Sequence, residues 1–300
     1  MRAGCATARH DPTSGTASTT GVRDLPGDEL LRFYQQNIEG IRRAGRASVP
    51  GNGRMLVCWQ PENEGKATLQ EIYYNTRKND CEILTLKEYE TFSAKSPADV
   101  ATMLSDVEIW APAGRYGLII GCHGKAWVPR TAGNLSMNAL RPNREEDLWR
   151  PAPGALPTRS FGDSGNELEI PELAEVLEAQ SIRFDYLIFD ACFMANIETL
   201  YDLRHAVDYV VASPCEIMAA GFPYERITPH LFTDATIRTS LEAVCREFWE
   251  FYEYDWDTIS GNEQSGCISL AVMSEIDALV PLMRDIKQAP QQSFDLNTLQ

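Results

Sequence analysis

Apolar positions along this chain fall into short unbroken runs separated by stretches with helical spacing. YGLIIGC (116–122) and FDYLIFD (184–190) are two such runs, and each stops abruptly at a reactive side chain. Runs of five or six apolar residues bounded by polar or small ones predict strands buried on both faces of a parallel sheet. RMLVCW (54–59), CEILTL (81–86), VDYVVAS (207–213) and GCISLAVM (266–273) predict further strands. Between them, helical patterns run through LLRFYQQNIEGIRRA after Asp28, PADVATMLSDVEIWA from Pro97 and MANIETLYDLR from Met194. Ser96 is a cap for the helix that Pro97 opens. ELEIPELAEVLEAQ reads as a short strand and then an amphipathic helix with Pro171 at its start. Residues 238–256 and SEIDALVPLMRDI, with an internal Pro281, complete the helices. Strands alternating with helices over this length predict an α/β fold on a mostly parallel sheet.

Residues 1–24 are small, polar and aperiodic, the pattern of a disordered tail. No internal repeat or second composition regime divides the remainder, so residues 25–300 read as one domain. Between Lys125 and Phe161 the chain is rich in Pro, Arg, Asn and Gly with little periodicity. So long a connection inside a compact domain is usually functional or mobile.

Composition narrows the function classes. The 300 residues are 44% hydrophobic and 23% charged, as in ordinary soluble globular proteins. A formal charge of −16 argues against nucleic acid, whose phosphates it would repel, and is compatible with cationic substrates. No apolar run approaches the ~20 residues needed to span a bilayer. The first 24 residues contain no continuous apolar segment of a signal peptide. Eight cysteines are scattered without a C-x-x-C pair or a Cys/His cluster at zinc spacing, so no structural metal site is expected. Several, such as Cys58, Cys245 and Cys267, sit inside apolar patterns, where a free thiol packs as a small hydrophobe.

The chemistry concentrates at the ends of two predicted strands. One ends at Cys122, His123 and Gly124, the other at Asp190, Ala191 and Cys192. In open α/β sheets the crevice beyond the carboxyl ends of the strands is where sites form. A cysteine and a histidine leaving two such strands can meet there as a thiol nucleophile and its base. Of the four histidines, His10 lies in the tail, His205 ends a helix and His230 follows Pro229 in a loop. Only His123 combines a strand end with a flanking glycine. Gly124 can bring its backbone close to a substrate and aim its N–H at a developing oxyanion, or it can be a turn glycine. Cys192 at a strand end can equally be structural.

The ordered segments QQNIEGIRRA, MLSDVEIWAPAGRYGLIIGCHGKAW, FGDSGNELEIPELAEVLE, FDYLIFDACFMANIETLYDLRHAVDYVVASPCEI and AAGFPY resemble the clostripain family of cysteine peptidases. The likeness covers most of residues 28–230. It implies a caspase-like fold, a three-layer αβα sandwich around a mostly parallel central sheet. It also implies that Cys192 is the nucleophile, that His123 is the general base and later acid, and that the N–H groups of Gly124 and Cys192 form the oxyanion hole. Asp190 then matches an acidic residue at the floor of the S1 pocket in members that cut after Arg or Lys; alternatively it caps the helix at MANIE. Glu216 is a second acidic candidate for substrate binding. The resemblance implies a peptide or protein substrate, a monomer and export from a bacterial cell. Calcium enters only through the family, and no cofactor is otherwise expected. Some members cut themselves between the His and Cys strands, where this chain has Arg130, Arg141, Arg144, Arg150 and Arg159.

The chain also departs from the family's pattern. VRDLPG stands where relatives begin with an apolar strand, relatives continue past FDLNTLQ, and Lys125 replaces a small hydroxyl residue after His123-Gly124. The first sheet strand and the C-terminal end are therefore expected to be missing. These departures keep open a second reading, an inactive caspase-like module that binds peptides or partners. A third is a thiol acyltransferase using the same pair.

Overall fold

Continuous apolar runs require a sheet covered on both sides, and the computed structural model shows what covers each face. It describes residues 3–9, 29–47, 53–60, 65–122, 124, 160–163, 166–218, 220–255 and 266–288. The strands in chain order are β1 (Ala3–Arg9), β2 (Gly53–Trp59), β3 (Gly65–Asn75), β4 (Asp80–Phe92) and β5 (Tyr116–Gly121), then β6 (Ser160–Asp163), β7 (Asn166–Glu169), β8 (Phe184–Asp190), β9 (Val207–Ala212) and β10 (Ser269–Val272). β6 and β7 form a separate small hairpin, and the other eight make one sheet in the order β10-β9-β8-β5-β1-β2-β3-β4.

Side chains alternate across this sheet with period two. In β5, Leu118 and Ile120 enter one apolar cluster and Ile119 the other. In β8, Leu187 and Phe189 divide from Tyr186 and Ile188 in the same way, as Leu56 and Cys58 divide from Met55 and Val57 in β2. The first face is covered by α2 (Pro97–Trp110), α3 (Ile170–Glu178) and α4 (Ile197–Leu203), which contribute Leu104, Val107, Leu173, Leu177 and Leu203. The second is covered by α1 (Glu29–Ala47), α5 (Tyr224–His230) and α6 (Ile237–Glu250), through Ile41, Ile227, Leu241, Val244 and Phe248. Each fully buried Leu or Phe contributes about 1.5–3 kcal/mol. The result is a three-layer αβα sandwich.

The parallel part of the sheet is β5, β8 and β9, in register Leu118↔Leu187 and Leu187↔Val210. β10 and the strands β1–β4 extend it with antiparallel pairings. The short connections on either side of β3 leave room only for reversals, not for the crossover that a parallel neighbour needs.

Three expectations from the sequence change. Residues 3–9 belong to the predicted tail, yet Ala3–Arg9 pairs with both β2 and β5 and fills the sheet interior. The sheet therefore has a strand where a missing one was expected. Its pairing rests on backbone N–H and C=O groups, which a hydrophobic pattern does not report. The helix predicted from Met194 starts later, at Ile197, because Asn196 is its cap and accepts the Thr199 N–H at 2.8 Å. SEIDALVPLMRDI divides into a 3-10 turn, Met273–Ala278, and α7 (Leu279–Gln288). Pro281 then falls in the first turn of α7, where a missing N–H costs nothing. Ser96 caps α2 as expected, accepting the Asp99 N–H at 3.3 Å.

Candidate active site

β5 and β8 run in parallel with Gly121 opposite Asp190, so the residues after each strand leave the sheet at the same edge. The Cys122 N–H continues the pairing by donating to the Asp190 carbonyl at 3.2 Å. The two strand ends then come into direct backbone contact. A Cβ added at Gly124 would lie 1.8 Å from the Cys192 carbonyl oxygen and 2.9 Å from the Cys192 nitrogen, a space that admits no side chain. Two of the positions proposed for one oxyanion hole, Gly124 and Cys192, are thus adjacent. His123 and Lys125 lie outside the described residues, as do Arg130, Arg141, Arg144, Arg150 and Arg159.

Cys192 stands on a sharp turn. Its neighbour Phe193 has φ 61°, a left-handed conformation that costs a non-glycine residue of order 1 kcal/mol or more. The surroundings hold it there: the Phe193 N–H donates to the Cys215 carbonyl at 2.9 Å, and Asn196 Nδ2 donates to the Phe193 carbonyl at 2.9 Å. The Ala195 N–H donates to the Ser213 carbonyl at 3.0 Å. The segment after β9 therefore braces the whole turn and also reaches the thiol. Cys192 Sγ accepts the Ile217 N–H at 3.3 Å and donates to the Ile217 carbonyl at 3.7 Å.

The other cysteines differ in setting. Burial pushes the Cys58 and Cys245 thiols up to about 12, which keeps them protonated and inert. Cys122 is fully buried, whereas Cys192 is half-buried. Among the histidines, His230 Nε2 meets Glu247 Oε1 at 3.3 Å between α5 and α6, and His205 lies in the turn after α4. His10 lies outside the described residues.

Asp190 is only 3% exposed. Its Oδ2 accepts the Tyr224 hydroxyl at 3.1 Å, and Gly221, at φ +66°, lies so close that a Cβ there would come within 2.5 Å of the same oxygen. The Tyr252 hydroxyl holds that glycine by donating to its carbonyl at 2.8 Å. Asp190 does not cap α4, since Asn196 occupies that role; the helix-cap alternative is removed. Glu216 is exposed and precedes Ile217, on the loop that touches the thiol. Sequence reasoning missed Ile217, because a backbone N–H leaves no signature, and Tyr224, although it closes the AAGFPY segment. Among the described residues, no group of three or more His, Cys, Asp or Glu side chains is placed to hold a metal ion. Among them, no helix is long and apolar enough to cross a membrane.

Comparison with known proteins bears on the fold that carries these residues. A family model described as the clostripain family matches residues 159–297. The fold is similar to that of a secreted C11 cysteine protease from Bacteroides thetaiotaomicron, "iotapain", with TM-score 0.73 and 24% identity over 93% of this chain and 71% of that one. An inactive zymogen C11 protease from Parabacteroides distasonis aligns with TM-score 0.67 and 24% identity, covering 89% of this chain and 64% of its own. A secreted C11 cysteine protease from Bacteroides thetaiotaomicron in complex with an irreversible peptide inhibitor aligns with TM-score 0.66 and 22% identity, over 90% and 70% of the two chains. No curated protein matches the chain. Residues 159–297, which hold Asp190 and Cys192, are thus similar to the clostripain family, on a chain whose fold is that of the C11 cysteine proteases.

Proposed function

We propose that this chain is a cysteine endopeptidase that cleaves after Arg or Lys through Cys192 and His123. The observation that carries the reading is the contact of the two strand ends, Gly124 backbone against Cys192 backbone, with the Ile217 N–H on the sulfur. In this mechanism the Cys192 thiolate attacks the scissile carbonyl and His123 holds the proton taken from the thiol. The N–H groups of Gly124 and Cys192 stabilise the oxyanion of the tetrahedral intermediate. His123 then protonates the leaving amine, leaving an acyl-thioester on Cys192. Water, with its proton taken by His123, releases the acid and restores the thiol.

Asp190 supplies the basic preference in this reading. A buried carboxylate already fixed by Tyr224 selects a guanidinium or ammonium by charge-assisted hydrogen bonds. Glu216, exposed on the loop that touches the thiol, adds a second carboxylate, and the overall charge of −16 favours approach of a cationic segment. The similarity to a secreted protease supports export in this reading, and the same specificity would allow self-cleavage at an arginine between the two strands.

The test is turnover of fluorogenic peptides ending in Arg, Lys, Leu or Asp by wild type and Cys192→Ala. Cleavage after Arg or Lys that vanishes in the variant is the expected result. Turnover only after Leu or Asp refutes the role of Asp190, and none from a folded chain refutes the peptidase in favour of a binding module.

A further inference from the structure

The pairing of β9 with β10 ends at Ala212↔Ser269, and a cysteine lies just beyond each strand. Cys215 is three residues past Ala212 and Cys267 two residues before Ser269. Because the strands are antiparallel, both cysteines leave the pair at the same end. There the two thiols are near enough for the charge of one to act on the other; both residues are exposed and both thiols are free. Cys58, Cys81, Cys122, Cys192 and Cys245, by contrast, are buried or half-buried.

Both segments also support the site. The Cys215 carbonyl takes the Phe193 N–H at 2.9 Å, and Ser213 Oγ both donates to that carbonyl at 2.9 Å and accepts the Cys215 N–H at 3.0 Å. Two residues later comes the Ile217 N–H on the Cys192 sulfur. On the other side, Gly266 packs against Tyr252, whose hydroxyl holds Gly221 beside Asp190.

We propose that Cys215 and Cys267 are a redox pair that closes to a disulfide by exchange with a low-molecular-weight disulfide such as oxidised glutathione, tying the loop behind the nucleophile to the segment before β10. One cysteine thiolate attacks the small disulfide, forms a mixed disulfide and expels one small thiolate. The second then attacks the protein sulfur of that bond, closes the Cys215–Cys267 bond and expels the other small thiolate. Both cysteines are oxidised, the small disulfide is reduced to two thiols, and the two protons from the cysteines pass to them. Exposure of both sulfurs makes the bond readily reducible, as in regulatory rather than structural disulfides.

The experiment incubates the full chain in a glutathione buffer, alkylates the remaining thiols with iodoacetamide and maps the digest by mass spectrometry. The expected result is a peptide linking Cys215 to Cys267, lighter by two hydrogens than its separate halves, that dithiothreitol abolishes. Cys215→Ser and Cys267→Ser each remove it. Recovery of both residues alkylated, as stable glutathione adducts, or of Cys215 linked to Cys192, overturns the proposal. The bond is read by mass, so a chain without peptidase turnover tests it equally well.

Discussion

Replacing Gly124 with alanine tests whether the two strand ends form one catalytic unit. The added methyl would lie 1.8 Å from the Cys192 carbonyl oxygen, where ordinary contact begins at 3.4 Å. One strand end must therefore retreat by about 1.5 Å, and both neighbours are backbone, so no side-chain rotation relieves the clash. Overpacking of this kind costs roughly 1–3 kcal/mol of stability. Its effect on catalysis is larger. Loss of one oxyanion donor costs about 10²–10³ in kcat, and a misplacement of 1 Å near reacting atoms about 10². Gly124→Ala is expected to lower kcat/KM for an Arg peptide at least ~10³-fold while the chain still unfolds cooperatively, within those few kcal/mol of wild type. The assay is turnover with a parallel urea denaturation. A variant within tenfold of wild-type activity would refute the reasoning, since Gly124 could not then be donating its N–H beside Cys192.

Tyr224→Phe removes the hydroxyl that donates to Asp190 Oδ2 at 3.1 Å, at a cost of about 1–3 kcal/mol for a charge-assisted bond in the interior. Thermal unfolding should fall accordingly and KM for an Arg peptide should rise; unchanged values for both would show that Tyr224 does not position the carboxylate. In the β3–β4 hairpin, Lys78, Asn75 and Tyr73 hydrogen-bond Glu82 and pull its carboxyl down from 4.5 to about 2. A lowered folded value means that this stabilisation is fully present above pH ~4.5 and is lost as pH falls toward 2. The gap in urea midpoint between wild type and Glu82→Gln should therefore shrink across that window, and a gap independent of pH would contradict it.

Much of the architecture was legible because burial on both faces demands side chains of one kind. The runs 116–121 and 184–190 are strands at those places, and both carry apolar residues to opposite clusters. Their ends were legible as chemistry because Gly124 and Cys192 break off where a strand must stop. By contrast Asp190 was ambiguous, since one carboxylate after a strand serves a cap or a pocket equally well in one dimension. Asn196 takes the cap, which removes that alternative alone.

What the sequence determined by itself is what depends on neighbours along the chain: strand and helix type, the capping serine before α2, and the reactive residues at strand ends. Tertiary structure decided what depends on register and on backbone. It set Gly121 against Asp190, which brings Gly124 onto Cys192, and it placed the Ile217 N–H on a sulfur 25 residues away. It also drew Ala3–Arg9, a segment with no apolar pattern, into the sheet interior, and brought Cys215 and Cys267 to the same end of β9 and β10. Backbone donors are common to every residue and long-range pairings leave no periodicity, so only the folded chain can select among them.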